Sequence, residues 1–432
     1  MKVIPRDQHC ISRKNISDNA LKVMSRLRNS GHQAYLVGGA VRDLLLGGNP
    51  KDFDIATDAT PEQVHAVFRN SRIIGRRFRI VHVSFGREVI EVTTFRGHHD
   101  SDPKPGKGAP SSRSRQSDKG LLLRDNVFGT LEEDAVRRDL TVNALYYDSA
   151  TFEIYDHVNG MRDIERRSIR IIGDPEVRFR EDPVRMLRVV RFAAKLQFDI
   201  DQDTADAIPR CARLLGEIPE ARLFDEFLKL FFAGYAERTF QQLLAHDLLR
   251  YLFPDSDYEI RNDAVAMALV EAAMQSTDKR IRDGKTVTPA FLLAALLWPV
   301  TDRLAEQLRD RGDPPVTAMH DASQQVIAGA MRTLSIPRRF SMPMREIWEF
   351  QHRLERRKGR KAEELVQNRR FRAAYDFLLL REQAGEETGD VGGWWTEFQE
   401  LPSTQQLQAT VDHTPPERTR RRRPRKRRPA TD

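Results

Sequence analysis

The residues Leu36-Val37-Gly38-Gly39-Ala40-Val41-Arg42-Asp43, followed by Lys51-Asp52-Phe53-Asp54-Ile55, decide how this chain is read. Tyr35 to Val37 forms a short apolar strand, and Gly38-Gly39 turns it. Val41 to Leu46 gives a short helix, ended by Gly47-Gly48. Asp52 to Ile55 is strand-like again. Side chains on a strand alternate faces, so Asp52 and Asp54 point one way and Phe53 the other. Two carboxylates on one face repel each other unless a divalent cation sits between them. Mg²⁺ is held in this way, by one or two carboxylates together with substrate phosphates. Gly38-Gly39 removes side chains where backbone must approach a phosphate, and Arg42 follows within reach of a phosphate oxygen. The pattern is neither the Gly-x-Gly-x-x-Gly of dinucleotide folds nor a P-loop.

Outward from this stretch, Ile16, Ala20, Val23, Met24 and Leu27 recur at helical spacing and predict a helix over 16–29. Residues 1–15 read as an extension. A helix over 61–69 starts at Thr60, with Pro61 in its first position. Residues 72–74, 79–85 and 88–94 are Ile- and Val-rich strands, and Gly86-Arg87 turns the last two into a hairpin. Residues 97–120 are polar, and the expectation is a mobile loop. Further strands are expected at 141–147 and 152–155. From Asp182 onward the periodic segments are helical. The fold class is α+β: a head with a mixed β-sheet, an all-helical body and a disordered basic tail. The expected division is 1–30 as extension and helix, 31–172 as head and 173–255 as a helical neck, then 256–400 as helical body and 401–432 as tail.

Of the 432 residues, 40% are hydrophobic and 31% charged. No apolar run reaches the ~18 residues of a membrane-spanning helix. Met1 to Gln8 lacks the apolar core of a secretory signal. Cys10 and Cys211, the only cysteines, exclude a disulfide scaffold and fit a reducing, cytoplasmic setting. The net charge is +8, and residues 417–432 hold nine Arg or Lys against Glu417 and Asp432. That segment therefore carries +7 of the excess. Such dense like charge cannot fold on itself. Arg420, Arg421, Arg422, Arg423, Arg425, Lys426, Arg427 and Arg428 are thus candidates to bind a polyanion, RNA or DNA.

Gly38-Gly39-x-x-Arg42-Asp43 followed by Asp52-x-Asp54 resembles the first motif of the class II nucleotidyltransferases, the superfamily of bacterial poly(A) polymerases and tRNA CCA-adding enzymes. Arg137-Arg138-Asp139 with Thr141 and Asn143-Ala144 resembles the second motif, and Asp156 with Gly160 the third. Glu181-Asp182-x-x-Arg185-x-x-Arg188-x-x-Arg191-Phe192 resembles the fourth, the nucleotide-recognition helix. The resemblance covers at least residues 9–230. Ile73-Ile74-Gly75-Arg76-Arg77-Phe78-Arg79 with His82-Val83 is similar to the stretch that marks the poly(A) polymerase branch. His9-Cys10-Ile11-Ser12-Arg13 and the Arg-rich tail are similar to that branch as well.

The resemblance implies template-independent addition of AMP from ATP to RNA 3′ ends, with pyrophosphate leaving and two Mg²⁺ ions assisting. The alternative it leaves is CCA addition to tRNA. It implies Asp52 and Asp54 as metal ligands and Asp139 as the third catalytic aspartate. Gly38, Gly39, Arg42, Arg138, Asn143, Arg185 and Arg188 become nucleotide-binding residues. Asp182 joins them, reading the base together with Arg185. Asp182, Arg185 and Arg188 are spaced three apart and are expected on one helical face. A role in RNA turnover also follows from the resemblance, through decay proteins that it does not name. Glu91 is either another acid facing the same cleft or, the favoured reading, an exposed strand position; His98-His99-Asp100 is read as solvated loop, and Trp394-Trp395 as core. His246-Asp247 and His320-Asp321 do not complete a phosphohydrolase constellation.

Overall fold

A computed structural model describes residues 1–75, 79–97, 114–116, 122–125, 127–357 and 360–402. Arg76 to Phe78, His98-His99-Asp100, most of the 97–120 loop and the tail beyond Pro402 therefore lie outside the described residues.

The chain begins with β1 (Lys2–Ile4) and α1 (Asp18–Asn29). Next come β2 (Ala34–Val37), α2 (Gly39–Leu45), β3 (Asp54–Thr57) and α3 (Pro61–Val67). Strands β4 (Ser71–Ile74), β5 (Ile80–Phe85) and β6 (Glu88–Thr94) follow. The ribbon β7 (Ser114–Gln116) and β8 (Leu122–Asp125) precedes α4 (Leu131–Arg137). The head continues through β9 (Leu145–Tyr147), β10 (Ile154–Asp156), α5 (Gly160–Glu165) and β11 (Ser168–Ile169). One mixed sheet, in the order β1-β10-β9-β2-β3-β6-β5-β4, organises it.

Local chemistry explains these elements. Ser17 caps α1 by accepting from the Asn19 and Ala20 N–H groups, and Ala20, Val23, Met24 and Leu27 form the buried stripe. Thr60 and Gln63 make a reciprocal capping box on α3. Gly86 takes φ +62° in the two-residue turn that pairs Phe85 with Glu88. The expected extension at 1–15 differs: Lys2, Val3 and Ile4 pair antiparallel with Asp156, Tyr155 and Ile154, so β1 is an edge strand of the head. An unpaired sheet edge offers backbone partners to any nearby extended segment, whatever its side chains. Part of the expected 97–120 loop is also ordered, because β7 pairs antiparallel with β8.

The helical part comprises α6 (Pro175–Glu181), α7 (Val184–Leu196) and, after β12 (Asp199–Ile200), α8 (Gln202–Cys211). It goes on with α9 (Glu220–Phe231), α10 (Ala236–Ala245), α11 (Leu249–Leu252) and α12 (Pro254–Asn262). Then come α13 (Ala264–Arg282), α14 (Pro289–Asp310), α15 (Pro315–Ala330) and α16 (Arg338–Leu354). It closes with α17 (Arg360–Val366), α18 (Phe371–Gln383) and α19 (Val391–Glu400). The chain divides into two compact units. One holds Met1–Tyr258, Met274–Val287 and Gly329–Ile336; the other holds Glu259–Ala273, Thr288–Ala328 and Pro337–Asp432. In the second, Trp395 is fully buried among Phe371, Trp394 and Phe398, and its Nε1 donates to the Leu354 carbonyl at 2.9 Å. The tryptophan pair is core, as expected. Among the described residues no helix is long and apolar enough to cross a membrane.

Candidate active site

β2 runs antiparallel to β3 with Val37 opposite Asp54, so the Gly38 turn lies beside the Asp54 carboxylate. Gly38 adopts φ +77° and ψ −140°, a conformation open to glycine and costly for other residues. A Cβ there would stand 3.5 Å from Asp54 Oδ2 and 3.8 Å from Arg138 Nη1. Asp54 is the first residue of β3, and Asp52 reaches the same cleft from the loop before it. The strand alternation expected for the pair is therefore replaced by a loop-and-strand approach. The result is the same: both carboxylates line one cleft of about 560 Å³, while Phe53 is buried.

Neither Asp52 nor Asp54 is held by a hydrogen bond or an ion pair among the described residues. Burial, then Glu91, pushes the Asp54 carboxyl up to about 6, with Asp52 adding to the effect and Arg138 opposing it. Glu91 is opposite Asp54 in the parallel β3–β6 ladder, and its Oε1 lies 3.2 Å from His82 Nε2 in a hydrogen bond. It is half-exposed and close enough to act on Asp54, so both readings of Glu91 hold in part. Two hard oxygen donors crowding negative charge at an open cleft fit a divalent cation.

Asp139 lines the same cleft in a different electrostatic state. Its Oδ2 accepts from Arg188 Nε and Nη2 at 2.5 Å, and its Oδ1 accepts from the Leu140 N–H at 2.8 Å. Burial alone would raise this carboxyl; Arg188 overrides it and holds it at about 2. Arg138 is fixed by Asp134 and Tyr146: its Nε donates to the Tyr146 hydroxyl at 2.8 Å, and that hydroxyl donates to Asp134 Oδ2 at 2.6 Å. Arg178 Nη2 donates to the carbonyls of Arg137 and Arg138 at 2.6 and 2.7 Å, clamping the backbone just before Asp139. Sequence reasoning missed Asp134, Tyr146 and Arg178, because no local motif marks them and Arg178 reaches its partners from 40 and 41 residues away.

Arg42 is 1% exposed. It donates to Asp43 Oδ1 through Nε at 2.8 Å and Nη2 at 2.6 Å, donates to Asn143 Oδ1, and packs 5.0 Å from the Phe192 ring. The expected phosphate ligand is thus also a buried tie between α2, Asn143 and α7. Arg188, Arg191, Phe192 and Lys195 line the same cleft from α7. Lys195 was missed although it continues the three-and-four spacing of Arg188 and Arg191.

Asp182 and Arg185 are not among the residues lining this cleft. The expected shared helical face is corrected: Asp182 closes α6 in extended backbone, and α7 begins at Val184 after Pro183. A proline favours extended backbone in the residue before it. Asp182 Oδ2 accepts from Arg222 Nη2 at 2.7 Å, while its Oδ1 is buried without a partner. Arg185 Nη1 donates to the Arg178 carbonyl and to Glu181 Oε2 at 2.8 and 2.7 Å.

The family described as Poly A polymerase head domain matches residues 34–170. Probable RNA and SrmB- binding site of polymerase A matches 197–260, and Polymerase A arginine-rich C-terminus matches 311–429. Poly(A) polymerase I of Salmonella typhimurium is 49% identical over 99% of this chain and 93% of its own length. The chain belongs to the poly(A) polymerase I family. The poly(A) polymerase I of Haemophilus influenzae is 42% identical over 92% of this chain and 88% of its own. The CCA-adding enzyme of Bacillus pumilus is 38% identical over only 54% of each chain. A Thermotoga maritima CCA-adding enzyme complexed with tRNA shares the fold at a TM-score of 0.59 and 18% identity, covering 92% of this chain and 85% of its own. The poly(A) polymerase I relatives thus extend through the helical body, which the CCA-adding relative by sequence does not.

Proposed function

We propose that this chain, a polynucleotide adenylyltransferase by family, transfers AMP from ATP to RNA 3′ ends with Mg²⁺ as its metal. The observation that carries this reading is the unpaired Asp52 and Asp54 in a cleft that Arg138, Arg188, Arg191 and Lys195 also line. Asp52 and Asp54 would hold the metal. When bound, a pair of divalent ions supplies charge stabilisation to attacking and leaving oxygens. Asp139, kept ionised by Arg188, provides an acceptor for the RNA 3′-hydroxyl or for the metal shell. Gly38, Gly39, Arg42, Arg138, Asn143 and Arg188 receive the nucleotide.

Asp182 and Arg185 read the base. The unpartnered Asp182 Oδ1 supports this, since a carboxylate oxygen accepts from the exocyclic amine of adenine and a buried acceptor without a partner is costly. The basic segment Arg420 to Arg428 binds the RNA backbone. The domain division at 30, 172, 255 and 400 is our reading of the same organisation. We assign the enzyme to the cytoplasm and to RNA turnover. CCA addition is not favoured, because CCA-adding relatives such as that of Bacillus pumilus match only about half of the chain.

The test is extension of an unstructured oligoribonucleotide with each NTP separately. Homopolymeric A tails are expected, and a product limited to CCA on tRNA refutes the assignment. Asp52→Ala is expected to abolish incorporation with RNA binding retained; surviving incorporation overturns the metal assignment.

A further inference from the structure

The wall formed by α7 is ordered along its axis. Arg188, Arg191, Phe192 and Lys195 line the cleft at intervals of three and four residues. At ~1.5 Å rise per residue, Arg188 and Lys195 stand about 10.5 Å apart along the helix. Asp182, the assigned base reader, precedes the first turn of the helix, and Arg188 holds Asp139 beside it. An ATP laid along this wall with its base at the Asp182 end carries its outer phosphates toward Lys195.

That end of the cleft is built for negative charge. Asp43 ties two cations together: its Oδ1 accepts from Arg42, and its Oδ2 accepts from Lys195 Nζ at 3.4 Å. The Lys195 contact is long, its side chain is 36% exposed, and an ammonium has three donors. Arg191 adds a third cation, with only Glu226 at 4.0 Å as its acidic partner among the described residues. Burial, then Arg42, holds the Lys195 ammonium below its usual range, with Asp43 opposing. An anion entering here is met by Arg191 and Lys195, with the charge of the buried Arg42 behind them.

We propose that Lys195 binds the β- and γ-phosphates of the incoming ATP, the part that departs as pyrophosphate. This rests on the adenylyl-transfer reading. Arg188 serves the inner end of the nucleotide and Lys195 the outer end, so α7 acts as a ruler for its length. Lys195 is a binding residue for substrate and leaving group, and it has no contact with AMP once the product is made.

The experiment measures equilibrium binding of ATP, inorganic pyrophosphate and AMP, each with Mg²⁺, to the full chain and to Lys195→Met and Lys195→Arg. Loss of one charge-assisted contact is expected to weaken both ATP and pyrophosphate about tenfold in Lys195→Met. AMP affinity is expected to stay within about twofold, and Lys195→Arg to recover most of the ATP affinity. Equal loss for ATP and AMP would show that Lys195 acts only by bracing Asp43 and Arg42, and overturns the proposal. Unchanged ATP and pyrophosphate binding overturns it as well. AMP incorporation by the wild-type chain is measured alongside. If that is absent, the adenylyl-transfer reading itself falls and Lys195 with it; if it is present, a failure belongs to Lys195 alone.

Discussion

Asp54 gives the most direct link between function and stability in this head. Its carboxyl is pushed up from an ordinary 3.8 to about 6, by burial first and then by Glu91. For an acid, a raised folded-state value means that the unfolded chain releases its proton first. Below about pH 4 both states are protonated and the group costs nothing. Between about pH 4 and 6 the unfolded chain binds fewer protons, so stability falls with rising pH and levels off above 6. Holding the carboxylate charged in the folded head therefore costs about 3 kcal/mol, at ~1.36 kcal/mol for each tenfold change in proton affinity. Asp54→Asn removes the charge and keeps the shape, so the metal-free head should gain about 2 to 3 kcal/mol at pH 8 and only about 0.5 kcal/mol at pH 4. AMP incorporation should disappear at the same time. The two compact units need not unfold together, so the readout is native-state hydrogen exchange at the β2 and β3 amides, with a chelator present. Adding Mg²⁺ should then stabilise the wild type and leave Asp54→Asn unmoved. A variant that is destabilised at pH 8, or whose advantage is the same at both pH values, would refute the electrostatic account of the site.

Asp139 is expected to behave in the opposite sense. Arg188 holds it at about 2, so its contribution is fully present above about pH 4 and is lost as pH falls through about 2. A double-mutant cycle with Arg188→Met and Asp139→Asn should give a coupling of about 2 kcal/mol at pH 7 by the same exchange measurement; a coupling under about 0.5 kcal/mol overturns the pairing. Tyr146→Phe strips one partner each from Arg138 Nε and Asp134 Oδ2, so a loss of about 1 to 2 kcal/mol and a lower kcat with RNA affinity unchanged are expected. Deleting 417–432 should weaken RNA binding and flatten its dependence on salt, because nine cations no longer displace counterions; an unchanged slope removes the tail from the RNA interface.

Chain order alone carried much of this protein. The Gly38-Gly39 turn, the Asp52 and Asp54 pair, the hairpin at Gly86-Arg87 and the amphipathic helices are local, and each follows from backbone freedom, charge repulsion or periodicity within a few residues. The same is true of the basic end, where charge density needs no partner to be noticed. Other features required the folded chain. Only strand pairing turns residues 2–4 into a sheet edge and sets Glu91 beside Asp54. Only packing makes Arg42 a buried tie, gives Tyr146 and Asp134 to Arg138, and puts Arg178 on the carbonyls before Asp139. The two aspartates of the cleft show the division most sharply. Asp54 and Asp139 are the same residue type, yet one is held near 6 and the other near 2. Identity specifies a carboxyl group; the neighbours that fix its charge come from distant parts of the chain, and a charge is felt through space, whatever its distance along the sequence.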